Sequence, residues 1–362
     1  MALLLFAQAC TVSQREAGIG APVDWEELDE WHADRHAEAW QALLRSCERL
    51  RQEPQWQDAC DAAAALEAPS DRQVRDFIEA YFRPHPVFDE EGGHRGLVTG
   101  YYEPLLDGSF ERDERYRYPL HAPPPDLLRV ELGAAHPELA DRSLRGHLVG
   151  KRVLPYPERR ELVDGDGPLA GSELLWVDDP VDKFFLQVQG SGRIKMADGS
   201  AVAVGFADHN GRPYRSIGRR LIETGELARE AVNLFSIRRW IRSHPERADA
   251  LLNHNPRYVF FELRADAGSG PVGALGVVLS PGRSIAVDTD KIPLGAPVWL
   301  ETNMPDAPDT GLARLVLAQD TGGAIKGWNR ADVFWGHGES AERLAGLMSE
   351  PGRLYVILPR PR

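Results

Sequence analysis

The apolar side chains of this chain change their spacing near residue 96, and that change constrains the fold more than any other feature. Upstream, Trp40, Leu43, Leu44, Cys47 and Leu50 recur at intervals of three and four, the spacing of one helix face. Val74, Phe77, Ile78, Tyr81 and Phe82 repeat the pattern behind Ser70 and Asp71, which are helix-capping types. Arg83-Pro-His-Pro86 ends that helix, because proline disfavours the helical region for the residue before it. From Gly96 the period shortens. Residues 96–104 read as a strand running into a turn, and 174–177, 184–189 and 201–206 read as further short strands. Residues 215 to 253 return to the helical period, with Ile237, Trp240 and Ile241 forming a stripe behind Ser236 as its N-cap. Strands follow at 258–263, 275–279, 285–288, 297–301, 315–320, 332–335 and 354–358. The 34 glycines and 27 prolines supply turns between them. Helices, strands, helices, strands predicts a mainly β fold with a helical N-terminal part and two β-barrel domains. A groove between two barrels suits an extended polymer.

A formal net charge of -13 opposes binding to nucleic-acid phosphates or to anionic lipid through charge. A neutral sugar polymer meets no such penalty. No internal stretch is apolar for long enough to span a bilayer. The segment Met1-Ala-Leu-Leu-Leu-Phe-Ala-Gln-Ala-Cys10 is an apolar run whose small residues close on a cysteine. It resembles the tail of a bacterial lipoprotein signal, with Cys10 as the candidate lipidation site. It lacks a basic n-region, as expected of a start codon placed too late. Cys47 and Cys60 form a disulfide in an exported protein, or else are two buried thiols of a helix pair; the spacing allows both. His32-Ala-Asp-Arg-His36 has two histidines at i and i+4 but no glutamate between them and no third ligand in view, so it reads as a solvated helix face. Neither a metal nor a cofactor is expected.

The C-terminal third holds the carboxylates that point to chemistry. They lie in Ser284-Ile-Ala-Val-Asp288, in Ala318-Gln-Asp320-Thr-Gly-Gly-Ala-Ile-Lys326 and in Asn329-Arg-Ala-Asp332-Val-Phe-Trp-Gly336. Strand alternation puts Asp332 and Phe334 on one face. A carboxyl beside an aromatic ring is desolvated, which raises its pKa toward the range a general acid needs. Asp320 ends an apolar strand ahead of glycines that allow close approach. As turn formers the same aspartates need no function, and Asp288, next to Thr289-Asp-Lys-Ile-Pro, fits that supporting role.

Taken together these blocks resemble the 3D domain, named for three aspartates that fall on Asp288, Asp320 and Asp332. Gly100-Tyr-Tyr-Glu-Pro104, Asp182-Lys-Phe-Phe-Leu-Gln-Val-Gln-Gly-Ser-Gly-Arg-Ile194 and Val204-Gly-Phe-Ala-Asp-His-Asn-Gly-Arg-Pro-Tyr214 are similar to the barrel domain of the membrane-bound lytic murein transglycosylase A family. Asn255-Pro-Arg-Tyr-Val-Phe-Phe261 and Ser280-Pro-Gly-Arg-Ser284 fit the same family. The resemblance implies a double-psi β-barrel built around the C-terminal block, with the second barrel inserted into it. On that reading residues 1–10 are a residual lipoprotein signal and 11–104 are the N-terminal helices with the start of domain 1. Residues 105–240 are the inserted barrel, and 241–362 complete domain 1.

The family's activity is non-hydrolytic cleavage of the β-1,4 bond between N-acetylmuramic acid and N-acetylglucosamine, leaving a 1,6-anhydromuramoyl end. The resemblance therefore implies a peptidoglycan lytic exotransglycosylase that meets glycan strands and murein synthase complexes. Its place is the periplasmic face of a Gram-negative outer membrane, held through a lipid at Cys10. The catalytic aspartate falls on Asp332, with Asp320 supporting it. A single acid suffices because the sugar's own C6 hydroxyl is the nucleophile, whereas sugar hydrolases use two carboxylates. Tyr101 or Tyr102 offers a ring for sugar stacking. Gln187 and Gln189, read as sharing a strand face, offer amides to the glycan. Ser191, Glu103, Lys326 and the backbone amides of Gly322 and Gly323 complete the candidate binding set. Two alternatives stand beside this: a non-catalytic peptidoglycan-binding lipoprotein, and an aspartic-type hydrolase using the Asp320-Thr-Gly tripeptide.

Overall fold

The computed structural model describes residues 17–361 except 140–142, 164–166 and 265–269; Cys10 lies outside the described residues. Helices Trp40–Leu50 and Asp71–Tyr81 form where the helical period predicts them, and helix Pro54–Ala64 lies between them. Ser70 caps the third, exchanging hydrogen bonds with Gln73. Cys47 and Cys60 are joined by a disulfide that ties the first two helices together. Phe82 is not the end of the helical stripe. It opens a strand, Phe82–Phe88, whose two prolines are tolerated because their carbonyls still accept hydrogen bonds from Val23 and Gly20.

The larger sheet closes on itself. Strand Ser349–Pro359 pairs with Pro297–Met304, which pairs with Ala307–Asp320, then Ser284–Val287, Arg330–His337 and Gly96–Glu103. Gly96–Glu103 pairs back onto Ser349–Pro359 and completes a six-stranded barrel. Ile285, Val298, Leu317, Val333 and Val356 are buried inside it, and the N-terminal helices pack on the same core. His36 is buried in that core rather than solvated. Short 3-10 turns fold it inward, where its ring stacks at 6.0 Å on Trp299 and meets Trp31 edge-on at 4.5 Å. Burial lowers its pKa, so it stays neutral.

The second sheet also has six strands, in the order Val259–Arg264, Ala201–His209, Gly192–Lys195, Leu105–Ser109, Glu173–Val177 and Tyr118–His121. Leu106, Leu120, Leu175, Ile194, Val204 and Phe261 fill it. Helices Ile217–Glu223, Leu234–Ser243 and Pro245–Leu252 pack beside it around Phe184 and Phe185.

Three sequence expectations are corrected here. Residues 184–189 belong to a helix, Pro180–Gln189, not to a strand. Asp179 caps its first turn through the amides of Val181 and Asp182, Pro180 sits where no amide partner is needed, and Gly190 closes it at φ 83°. These caps override the strand propensity of Phe184-Phe-Leu-Gln-Val188. Ser236 lies inside helix Leu234–Ser243; Asn233 is its cap and Ser236 the reciprocal partner. Residues 275–279 form no strand and make only a bridge between Val272 and Val278.

The chain leaves the larger barrel at Pro104 and strand Val259–Arg264 leads back toward it. Glu103 is fully buried there. Its Oε1 accepts from Arg264 at 2.5 Å and its Oε2 from Arg193 at 3.2 Å. Gly192 packs against this crossing: a side chain there would meet Leu186 at 2.4 Å and the Pro104 carbonyl at 2.9 Å.

Candidate active site

Four neighbouring strands of the larger barrel bring four residues into one row. Asp320 is in register with Ala286, Ala286 with Asp332, and Asp332 with Thr99. One step along, Phe334 is in register with Tyr101, and their rings lie 5.3 Å apart. The alternation that places Phe334 beside Asp332 also places Arg330 on that face. Asp320 and Asp332 are therefore two strand spacings apart, roughly 10 Å between backbones, with the small Ala286 between them.

The hydrogen bonds set these carboxyls apart. Thr99 donates its hydroxyl to Asp332 Oδ1 at 2.5 Å and accepts from Arg330 Nη2 at 2.8 Å. A guanidinium only donates, so the Thr99 proton has to point at Asp332. The second carboxyl oxygen of Asp332 receives no protein hydrogen bond among the described residues. Burial raises the Asp332 pKa above the ordinary carboxyl range, with Arg330 and the Thr99 hydroxyl opposing in part. Asp320 is also raised by burial, and the charge of Asp332 adds to this. Its oxygens, however, accept from the Tyr101 hydroxyl at 2.9 Å, from the Ala274 amide at 2.9 Å and from the Thr321 amide. Asp320 is held by its surroundings; Asp332 keeps an oxygen free.

The other candidate residues are distributed differently. Tyr101 faces this row, and burial and Asp320 raise its hydroxyl well above its usual pKa. Tyr102 points away, donating its hydroxyl to Glu342 and its amide to Gln189 Oε1 at 3.0 Å. Gln187 lies on a helix rather than a strand and is buried. It accepts from Arg159 at 2.6 Å and donates to the Val259 carbonyl at 3.0 Å. Glu103 is enclosed by Arg193 and Arg264. Lys326 donates to Asp288 at 2.9 Å, and Asp288 also accepts from the Gly327 amide at 2.9 Å. That pair ties down the loop after Asp320. Ser191 is buried next to the Gly190 turn. Gly322 lies against Ile325, and Gly323 against Arg257: a side chain at 323 would come within 3.2 Å of that guanidinium.

Thr99, Arg330, Tyr214 and Arg257 were not singled out from the sequence. Thr99 and Arg330 carried a signal, since each sits two residues from one already chosen. Tyr214 and Arg257 come from the second barrel. Tyr214 lies within electrostatic reach of both Asp332 and Arg159, and Arg257 rests on the Asp320 loop. The row thus sits where the two barrels meet. Among the described residues no group of histidine, cysteine or carboxylate side chains has metal-binding geometry.

Comparison with known proteins agrees with this architecture. Residues 97–262 match the MltA specific insert domain and residues 283–358 match the 3D domain. The membrane-bound lytic murein transglycosylase A of Escherichia coli K12 is 33% identical over 273 residues, 73% of this chain. The chain belongs to the membrane-bound lytic murein transglycosylase A family. The match spans 66% of the length of the E. coli protein and 65% of its Vibrio cholerae relative, which is 31% identical. Among solved structures, MltA from Neisseria gonorrhoeae is 34% identical with a TM-score of 0.79, covering 96% of this chain and 98% of that one. The Agrobacterium tumefaciens member of the family is 30% identical with a TM-score of 0.84, covering 95% and 98%. The mainly β, two-barrel reading of the sequence is correct, and so is the family resemblance.

Proposed function

We propose that this chain is a lytic transglycosylase acting on peptidoglycan, with Asp332 as its general acid and base. The observation that carries the reading is the asymmetry of the two carboxyls. Asp332 has a raised pKa and a free oxygen, whereas each side of Asp320 is already hydrogen-bonded. A site with one available acid fits a reaction whose second reactive group belongs to the substrate. Protonated Asp332 donates to the glycosidic oxygen between N-acetylmuramic acid and N-acetylglucosamine, and that bond breaks at C1. The resulting carboxylate takes the proton of the C6 hydroxyl on the same muramoyl residue, and O6 bonds to C1. No water is consumed, the product end is 1,6-anhydromuramoyl, and Asp332 finishes protonated. Intramolecular attack by O6 supplies the advantage in effective concentration that a bound water would lack.

Asp320 accepts from the Tyr101 hydroxyl and the Ala274 amide and so holds the surroundings of the row in place. The relatives' names describe them as membrane-bound murein enzymes, and a solved structure of E. coli MltA holds chitohexaose. Both are consistent with a glycan substrate. No helix among the described residues is long and apolar enough to cross a membrane. The relatives' names and the apolar segment that closes on Cys10 support a place at the periplasmic face of an outer membrane, with Cys10 as the anchor.

Digestion of purified murein is the test. The wild-type protein is expected to release 1,6-anhydromuropeptides, and Asp332→Asn to release none while still binding glycan. Reducing ends in place of anhydro ends indicate a hydrolase and reject the reading, as does full activity in Asp332→Asn.

A further inference from the structure

The second barrel holds a cavity of about 600 Å³ that the row around Asp332 does not include. Lys183 lines it and is only 8% exposed, yet its ammonium has no hydrogen bond or ion pair among the described residues. Its ammonium lies 5.5 Å from the Tyr258 ring, and the Tyr258 hydroxyl is already engaged with His121 at 2.8 Å. Arg159, also lining the cavity and buried, bonds only to neutral groups: Gln187 and the carbonyls of Asn255 and Arg257. Arg112 and Arg117 stand exposed among the lining residues. Leu162, Leu169, Phe184 and Leu252 supply apolar walls.

A buried cation without a counter-ion is costly, and proteins keep few of them. Burial and the neighbouring Arg159 pull the Lys183 amine down to about 7, so the cavity favours any ligand that restores its charge. Four cations, Arg112, Arg117, Arg159 and Lys183, outnumber the two carboxylates, Glu173 and Asp249, that also line the cavity, and the excess positive charge fits a carboxylate on a short alkyl or peptide backbone.

We propose that this cavity is a second binding site, in which Lys183 receives a carboxylate of the peptide branch carried by the muramoyl residue. The inference rests on the reading of peptidoglycan as substrate. Position supports it. Helix Pro180–Gln189 runs from Lys183 to Gln189, whose side chain receives the Tyr102 amide of the strand that carries Thr99. Six residues of helix rise roughly 9 Å. Arg159 also approaches Tyr214, which in turn lies within electrostatic reach of Asp332. The branch point of the glycan and the bond to be cut belong to the same muramoyl residue, and Arg159 and Tyr214 link the cavity to the surroundings of Asp332.

The test is calorimetric titration of the whole protein with the free tripeptide L-alanyl-γ-D-glutamyl-meso-diaminopimelate, with acetate as the control anion. Saturable binding of the tripeptide is expected. Lys183→Met should weaken it at least about tenfold, the loss of one charge-assisted contact, while the melting temperature does not fall. Arg117→Gln, at an exposed position, should weaken it to a smaller degree and serves if the buried variant does not fold. Absence of tripeptide binding overturns the proposal. So does acetate binding as tightly as the tripeptide, or unchanged affinity in whichever variant folds. Binding is read without turnover, so its failure leaves the role of Asp332 standing, and failure of murein digestion is seen separately.

Discussion

Replacing Glu103 with glutamine tests what holds the two barrels together. Glu103 is fully buried, and its two oxygens are divided between Arg264 at 2.5 Å and Arg193 at 3.2 Å. A glutamine of the same shape keeps one oxygen but turns an NH2 group toward a guanidinium, donor against donor. Removing one member of a buried ion pair costs about 3–5 kcal/mol, because the remaining charge is left buried and unpaired. Arg193 and Arg264 keep 15% and 11% of their side-chain surface, so some solvent reaches them and the lower end applies. We expect a loss of about 3 kcal/mol. For a cooperative unit of domain size this is a drop in melting temperature of roughly 6–12 °C. Thermal unfolding followed by circular dichroism measures it, and a double-mutant cycle with Arg264→Gln apportions it. A loss below about 1 kcal/mol, the range of an exposed pair, would show that water screens the triad and would refute the reasoning. Unchanged stability with abolished murein cleavage would instead return Glu103 to the chemistry.

Two further outcomes follow from the geometry. In Thr99→Val, Asp332 loses the hydrogen bond that favours its ionised form, so its already raised pKa rises further. The acid then stays protonated to higher pH: the alkaline limb of the pH–rate profile should move up, and kcat should fall because the carboxyl is no longer aimed. An alkaline limb that stays in place or moves down contradicts the arrangement. Replacing Cys47 and Cys60 together with alanine opens a loop of sequence separation 13 and should cost about 3 kcal/mol of stability. Denaturant unfolding with and without reductant checks this; reductant should destabilise the wild type alone.

The sequence carried the local signals well and the long-range ones poorly. Helices with apolar stripes, such as Trp40–Leu50, form as read because one face has a core to meet. Asp332 and Phe334 share a face because alternation is a property of any strand. Residues 184–189 misled because aromatic and β-branched residues crowd a segment whose fate is decided by Asp179, Pro180 and Gly190 at its ends. His36 misled because charged neighbours in sequence say nothing of the tryptophans that reach it through the fold. Register across strands is set by the closed barrel, so no local pattern could reveal that Thr99 would lie beside Asp332. Nor could it show that Lys326 would lie on Asp288, or that Gln187 would be buried against Arg159. The family resemblance supplied the importance of Asp332; the structure supplied the hydrogen bond that Thr99 donates to it.

The closure of the larger barrel sets an order of events during synthesis. Strand Gly96–Glu103 carries Thr99 and Tyr101, and one of its two partners is Ser349–Pro359. All strands of the inserted sheet are made between these two. The inserted unit can therefore gather its own core while the host barrel is still an open sheet. Contacts so distant in sequence form late, because a long loop has to close first. The row that carries Thr99 and Asp332 therefore gains its last neighbouring strand only when residues 349–359 have been made.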